Sequence, residues 1–472
     1  MKRIDKFRIE IEKTGPMRVG AIIYTSEKLQ LEETAIAQLR DAATLPGVVK
    51  VLATPDIHEG YGVPIGCVMA CDKSIVPAAV GYDINCGMRI VTTPLRAREV
   101  DVSQLAHSIR RDIPLGEGMH NIRFDRGDFE EILNRGVSAL KEIDTSRIPV
   151  LQFRDEEEER RDALRIEEGG SMAGDVAALS ERAIKRGISQ EATLGGGNHF
   201  IEIQEVQSVY DEKTAKRFGL ERGQMVIMIH SGSRGLGHQV GDDYIHLASR
   251  MTATTSPNRY LCYLPVDSEE GRNYIKAMHA AANFAFVNRQ LMTVLVRKNV
   301  RHYHGDIPMP VVYDVPHNMA KFEEHFGRKV WVHRKGATRA FPKSRMSGTP
   351  FSGIGQPVLI PGSMGTASYV LLGTEESRES MHSVNHGAGR LMSRTKAAGR
   401  FRKGKMITPP AISDEEFSRD MKGITLICAN KRSIREEAPG AYKDIDEVVR
   451  CVEGAGLATI VARMVPLAVL KG

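Results

Sequence analysis

Apolar positions along this chain follow two rhythms, and the alternation between them predicts its elements. From Asp267 to about Arg301 they return every three or four residues. Tyr274, Met278, Ala281, Ala285, Leu291 and Leu295 approximate a stripe, which predicts one long helix. Ser268 and the two glutamates after it suit its first turn, as a hydroxyl cap and as negative charge at the positive end of the helix dipole. A short strand and then a helix near Leu29–Ala43 are predicted within the first 50 residues. Another helix is predicted over about Lys443–Glu453, with Gly454 as its stop and the strand-like stretch ATIVARMVPLAVL after it. Within 150–190 the stretch DEEEERRDALRIEE, closed by Gly169 and Gly170, predicts a helix with a solvated charged face.

The second rhythm is that of short strands. β-branched or apolar runs break off in polar, glycine-bearing turns, as in SIVPAAVGYDINCG, QMVIMIHSGSRGLGH, MPVVYDVPHN, KVWVHRKGATRAF and PVLIPGSMGTASYVLLG. Strands that end in such loops are where a scaffold displays a site. These segments run from Pro55 to the C-terminus, and no internal repeat or long low-complexity linker divides them. The expectation is an α+β (mixed α/β) fold, with one large catalytic domain over residues 1–472.

Composition narrows the class. A chain of 472 residues, 42% hydrophobic and 26% charged, is ordinary for a soluble enzyme and long enough to bury a large core. The N-terminal MKRIDKFRIEIEKTG alternates charged and apolar residues, so it is not a signal peptide. No run approaches the roughly 18 apolar residues of a membrane span. Cysteines at 67, 71, 86, 262, 428 and 451 show no zinc-ribbon spacing and fit free thiols in a reducing compartment. A cytoplasmic location without a membrane partner is expected. The net charge of +6 permits a polyanionic partner without requiring one.

The glycine-bearing loops carry metal-type donors. Asp83 and Cys86 lie in GYDINCG, His199 in TLGGGNHFIEI, His230 at the end of VIMIH, and His317 after VVYDVP. A carboxylate, a thiolate and three imidazoles suit divalent manganese, zinc or iron, and one thiolate can bridge two ions. Taken singly, each histidine is better explained as a structural residue with its hydrogen bonds satisfied. Cys86 alone is equally well a small buried apolar side chain. What favours a metal site is repetition of the same strand–loop setting.

Three loops also suit phosphate. LGGGNH at 194–199, HSGSRGLGH at 230–238 with Arg234, and PGSMGTAS at 361–368 with Ser363, Thr366 and Ser368 offer successive backbone donors. None is a Walker loop, because no Gly-Lys-Ser/Thr follows. Each alone is more simply a turn; together they suggest a nucleotide or RNA phosphate site. NHGAGR at 385–390 sets His386 before small residues that would leave room for a covalent adduct. Its local chemistry alone favours a hydrogen-bonding histidine. Arg390, Arg394, Lys396, Arg400, Arg402, Lys403 and Lys405 follow with no acidic residue among them. They are equally a solvated basic face or, with Arg234, Lys335 and Arg339, a path for RNA.

The chain resembles the RtcB family of RNA-splicing ligases, most closely its archaeal-type branch, over nearly its whole length. The segments that carry the resemblance are PDIHEGYGVPIG, GYDINCGMR, LGGGNHFIEI, HSGSRGLGHQ, VYDVPHN, VHRKGATRAF, GQPVLIPGSMGTASY, NHGAGR, EEAPGAYK and the final LKG. It implies a fold peculiar to that family, with a central cleft for two Mn2+. Asp83, Cys86 and His199 match the ligands of one ion, and Cys86, His230 and His317 those of the other. His386 matches the histidine that takes guanylate from GTP and passes it to an RNA 3′-phosphate, made from a 2′,3′-cyclic phosphate where needed. A 5′-hydroxyl then displaces GMP.

The resemblance also implies who holds the nucleotide. Asn198, His199, Phe200, Ile201 and Glu202 match one side of the guanylate site, with His317 and Asn318 beside them. Pro361, Gly362, Ser363, Met364 and Ser368 match a second side. His386, Gly387, Ala388 and Gly389, with Tyr442 and Lys471, complete it. Glu202 would accept from the guanine N1–H and amino group, favouring GTP over ATP. Arg234, Lys335, Arg390 and Arg394 match positions for RNA or triphosphate oxygens. tRNA halves are the expected RNA, with archease as a candidate activator and RNA repair as a further role. Asp56 and His58 fall in a family motif but receive no step. Asn385 departs from a position where relatives often carry cysteine, and His382 stands near it. Two rivals remain at this point: a cyclic phosphodiesterase or end-capping guanylyltransferase with the same site, and a non-catalytic GTP- or RNA-binding protein.

Overall fold

The computed structural model describes residues 1–144, 148–402, 405–430 and 434–472. Its longest helix runs Glu269–His304, a turn past the predicted end. Ser268 caps it, its hydroxyl accepting from the Gly271 amide at 3.0 Å. The apolar stripe is buried, but so is nearly every residue from Ala277 to Val300, polar ones included. Polar groups so buried need partners. Arg289 shows how they are met. Its guanidinium donates to both oxygens of Asp314 at 2.8 Å, to the Asn85 carbonyl at 2.8 Å and to the Ser231 carbonyl at 2.9 Å. The neighbouring Asn288 donates to the carbonyls of Thr193 and Gly232, each at 3.2 Å. One helix turn thus ties the loop residues Asn85, Thr193 and Gly232 to the strand residues Ser231 and Asp314.

The other helices differ from expectation in detail. The first is Glu33–Ala42 and the last Ile445–Gly454, capped by Asp444. The acidic stretch corrects a prediction. Its helix is only Glu156–Ala163, and one side of it is not solvated. Asp162 pairs with Arg297 at 2.7 Å and Glu158 with Arg301 at 2.6 Å, both toward the long helix. A local run of charge does not reveal basic partners more than 100 residues away.

Two mixed sheets carry the rest. The 8-stranded sheet runs Val311–Pro316, Gly87–Arg96, Gln224–Ser231, Phe200–Val209, Ala458–Lys471, Ser368–Gly373 and Pro357–Ile360, with Thr425–Cys428 pairing parallel to Ala458–Lys471. The 7-stranded sheet runs Lys2–Asp5, Arg8–Ile11, Ala21–Tyr24, Val48–His58, Ile65–Cys71, Arg328–Lys335 and Asn318–His325. Both faces of the first are buried. Ile201, Ile203, Ile227 and Ile229 share a core with Phe284, Leu291 and Leu295 of the long helix, while Phe200, Met228, Leu359 and Val370 pack on the opposite side. Residues two apart in a strand share a face, so adjacent residues divide between these cores. No helix among the described residues is long and apolar enough to cross a membrane.

Candidate active site

The five metal-type donors gather because the strands that carry them pair antiparallel. Asp83 and Cys86 precede the strand Gly87–Arg96, and His199 precedes Phe200–Val209. His230 lies near the end of Gln224–Ser231, and His317 follows Val311–Pro316. In an antiparallel sheet, the starts of some strands lie beside the ends of their neighbours. The register aligns His230 with Met88 and with Phe200, and Gly87 with Pro316. All five donors therefore stand at one end of the sheet. His317 is also the single residue between a strand of one sheet and Asn318–His325 of the other.

The donors form two groups that share one sulfur: Asp83, Cys86 and His199, and Cys86, His230 and His317. Cys86 Sγ lies 3.3 Å from His199 Nε2 and 3.2 Å from His230 Nε2. His199 Nε2 is 2.8 Å from Asp83 Oδ2, and His230 Nε2 is 3.4 Å from His317 Nε2. The histidine tautomers follow from their other nitrogens. His199 Nδ1 donates to the Leu194 carbonyl at 3.0 Å, and His230 Nδ1 to the Asn198 carbonyl at 3.1 Å. A carbonyl can only accept, so each Nε2 turns a lone pair toward Cys86. Burial holds His230 and His317 well below the ordinary imidazole range, which keeps them in the neutral, ligating form. Burial, then the Asp83 carboxylate, pushes the Cys86 thiol well above its usual range. A nearby cation is what would make it a thiolate. The donor set fits two divalent ions that share Cys86.

His386 stands against this centre, its ring centroid 4.7 Å from that of His317. It follows the short strand Ser383–Asn385, which pairs with Ala337–Arg339. His386 Nδ1 donates to Asp56 Oδ2 at 2.7 Å, and Thr54 Oγ1 donates to the other carboxylate oxygen at 2.6 Å. Burial would raise the Asp56 carboxyl, but His386 and Thr54 hold it below its ordinary value. Nδ1 thus carries the proton, and a neutral imidazole there keeps its lone pair on Nε2. Lys443 braces the same strand through the Ile57 carbonyl at 2.6 Å. Gly389 has φ +77°, and a Cβ there would stand 2.3 Å from the Asp56 carbonyl oxygen, so only glycine lets the His386 loop approach Asp56.

A pocket of about 640 Å³ opens above both features. Asp83, Cys86, His230 and His317 reach its wall. So do Asn198, Phe200 and Asn318, the 361–364 loop, and His386 through Gly389. Tyr442, Lys471, Arg390 and Arg394 close it. Other predicted residues sit behind the wall. His199 belongs to the donor group of Asp83 and Cys86, and Ile201 to the core under the sheet. Glu202 accepts from Gln204 Nε2 at 2.6 Å, and the same amide donates to Ser368 Oγ at 3.0 Å. Arg234 is held by the Thr193 hydroxyl at 3.2 Å, and Lys335 by the carbonyls of Tyr61 and Ala78.

Two parts of the expected RNA path change. Arg339 is paired with Glu167, Glu168 and Glu323, so its charge is spent inside the protein. In the basic run, Lys396 and Arg400 are exposed; Lys403 and the side chains of Arg402 and Lys405 lie outside the described residues. Sequence reasoning missed Glu437. This buried carboxylate lies 3.3 Å from Arg390, 3.0 Å from Arg394 and 3.8 Å from Lys471, and accepts from the Tyr442 hydroxyl. It holds four expected ligand-binding groups in one place. Its one signal in the sequence is its place in EEAPGAYK. His58, to which the sequence assigns no step, is on the wall, hydrogen-bonded to the Asp56 carbonyl at 2.8 Å and pushed down to about 4 by burial.

Residues 38–472 match the family model described as tRNA-splicing ligase RtcB. A protein of that description from Thermococcus kodakarensis is 44% identical, across 100% of this chain and 99% of its own length. One from Nanoarchaeum equitans is 43% identical over the same shares. One from Pyrococcus furiosus is longer: it is 44% identical over 82% of this chain, which covers 40% of its length.

Proposed function

The chain belongs to the RtcB family of tRNA-splicing ligases, and on that premise we propose that it joins RNA ends through a guanylate carried on His386. The carrying observation is the pairing of His386 with Asp56 beside the shared-cysteine donor set. Nε2 of His386 attacks the α-phosphorus of GTP; the new P–N bond replaces the bond to pyrophosphate, which leaves. The guanylate then passes to an RNA 3′-phosphate oxygen, freeing the imidazole. A 5′-hydroxyl attacks that activated phosphate, GMP leaves, and a 3′,5′ bond is sealed. A 2′,3′-cyclic phosphate is first opened by water.

Asp83, Cys86 and His199 would hold one Mn2+, and Cys86, His230 and His317 a second. Such ions supply Lewis acidity and neutralise charge on phosphoryl oxygens. Arg390, Arg394 and Lys471 exchange Glu437 for phosphate oxygens. The RNA is proposed to be tRNA halves, with archease as activator and the cytoplasm as the location.

Incubation with α-labelled GTP and Mn2+ tests this reading. An acid-labile label on the wild type, absent from His386→Ala, is the expected result. An unlabelled wild type, or equal labelling of the variant, overturns it. Addition of an RNA with a 5′-hydroxyl then yields joined product; accumulation of guanylylated 3′ ends alone would identify a capping enzyme.

Glu202 gives a second expectation. Burial pushes its carboxyl up to about 8, against the pull of Gln204 and Lys471. Guanine offers two N–H donors, which only the ionised carboxylate fully accepts. Below pH 8 the proton must leave on binding, so GMP affinity should rise from pH 6.5 to 8. The slope approaches about tenfold per pH unit where the group is fully protonated. Equilibrium dialysis of Mn2+-loaded protein checks this. In Glu202→Gln the slope should vanish, together with the preference for GTP over ATP. A slope that survives in Glu202→Gln belongs to another group.

A further inference from the structure

Beside the metal centre, outside the expected nucleotide site, three tyrosines gather at the pocket rim. The Tyr61 and Tyr260 rings lie 5.3 Å apart at 70°, and the Tyr61 and Tyr82 rings 5.7 Å apart at 54°. His238 stacks on Tyr82 at 5.0 Å. Large rings of this kind are usually buried, yet Tyr61 is 37% and Tyr260 42% exposed. Tyr61 is itself a pocket-wall residue, and Tyr82 precedes the donor Asp83.

The cluster is built by its surroundings. The Tyr260 amide donates to Asn258 Oδ1 at 2.9 Å, and Asn258 Nδ2 donates to Asp41 at 2.6 Å, which ties the loop to the first helix. Gly62 has φ +78°, and a Cβ there would stand 2.7 Å from the Tyr260 carbonyl oxygen, so the turn after Tyr61 can close on Tyr260 only with glycine. Arg259 lies 4.6 Å over the Tyr260 ring.

We propose that Tyr61, Tyr82 and Tyr260 form a stacking platform for unpaired bases of the RNA strand whose end enters the pocket; this rests on the ligase reading above. Continuity with the pocket selects the occupant, since a nucleic-acid strand must leave the reacting end across some part of this rim. The charges select which part of the RNA is held. Arg259 is there, but Glu32 and Glu59 also stand on the wall and Asp242 acts on Tyr82. That balance is poor for a row of phosphates. Rings, by contrast, accept any base, because every base has a π-face. This suits an enzyme whose substrate ends differ in sequence.

The test uses the full chain with Mn2+, no GTP, and a fluorescent single-stranded oligoribonucleotide ending in a 3′-phosphate, read by anisotropy. Tyr61→Ala and Tyr260→Ala should each weaken binding by about 5- to 160-fold, the range for loss of one stacked base. Tyr61→Phe and Tyr260→Phe, which keep the ring, should stay near wild type. An oligonucleotide with abasic residues next to its 3′ end should bind the wild type more weakly and the alanine variants no worse than the intact one does. The salt dependence should keep its slope, because no phosphate contact is removed. Wild-type affinity in both alanine variants overturns the proposal, as does equal loss in the phenylalanine variants. A change confined to oligomeric state would make the cluster a protein contact and also overturns it. Labelling of the wild type by GTP without RNA separates the two readings. If that fails, the ligase reading falls; if it succeeds while the alanine variants bind RNA normally, only the platform falls.

Discussion

Cys86→Ser is expected to lower ligation by about 10³-fold or more and to remove both metal equivalents at once. The reason is that one sulfur belongs to both donor groups. Losing Lewis acids at a phosphoryl-transfer site costs several kcal/mol of transition-state stabilisation, which is on the order of 10³ in rate. Serine has the size but not the chemistry, because its hydroxyl stays protonated and is a poor ligand for two ions. His199→Ala and His317→Ala should each weaken one position and leave the other. Cobalt titration separates the three. The wild type should show a thiolate-to-metal absorption band and two equivalents bound, the histidine variants the band with about one tight equivalent, and Cys86→Ser no band. A tightly bound ion remaining in Cys86→Ser would contradict the shared-ligand arrangement. Because burial and Asp83 push the Cys86 thiol upward, metal uptake should also release a proton and weaken as pH falls.

Asp56→Asn is expected to slow guanylylation of His386 by roughly 10²- to 10⁴-fold with the fold and metal content intact. The carboxylate only accepts, and it accepts from both Thr54 and His386 Nδ1. In asparagine, the orientation that keeps the shorter of the two Thr54 hydrogen bonds, 2.6 Å against 3.0 Å to the Gly66 carbonyl, turns the amide NH₂ toward His386. Two donors cannot share that contact, so the imidazole must move its proton to Nε2, the atom proposed to attack phosphorus. Single-turnover labelling with α-labelled GTP measures the effect. Cobalt uptake equal to wild type shows that the loss lies in the nucleophile. If Asp56→Asn labels at the wild-type rate, Asp56 does not set the tautomer. Asp56→Ala should be no slower than Asp56→Asn, since it removes the partner without enforcing the wrong one.

These two predictions rest on different sources. That His386 could carry an adduct and that Cys86 could ligate were readable from residue type, and the family resemblance singled them out. The pairing of His386 with Asp56 was not readable, because 330 residues separate them. Glu437 was equally hidden: nothing in EEAPGAYK indicates that Arg390, Arg394 and Lys471 will converge on it.

The elements divide the same way. The sequence alone determined the long helix and its Ser268 cap, because periodicity and capping are settled by neighbours three or four residues apart. It also determined the strand-and-loop rhythm and the chemical types of the five donors. It misread the acidic stretch, whose partners Arg297 and Arg301 come from that same long helix. The family resemblance implied the two donor groups; only the tertiary structure shows what brings them together. Antiparallel register set strand starts beside strand ends, and Asn288 and Arg289 pinned the loops between them. Those are contacts between residues far apart in the chain, formed when burial forces polar groups to find partners, and no local pattern encodes which partner each will find.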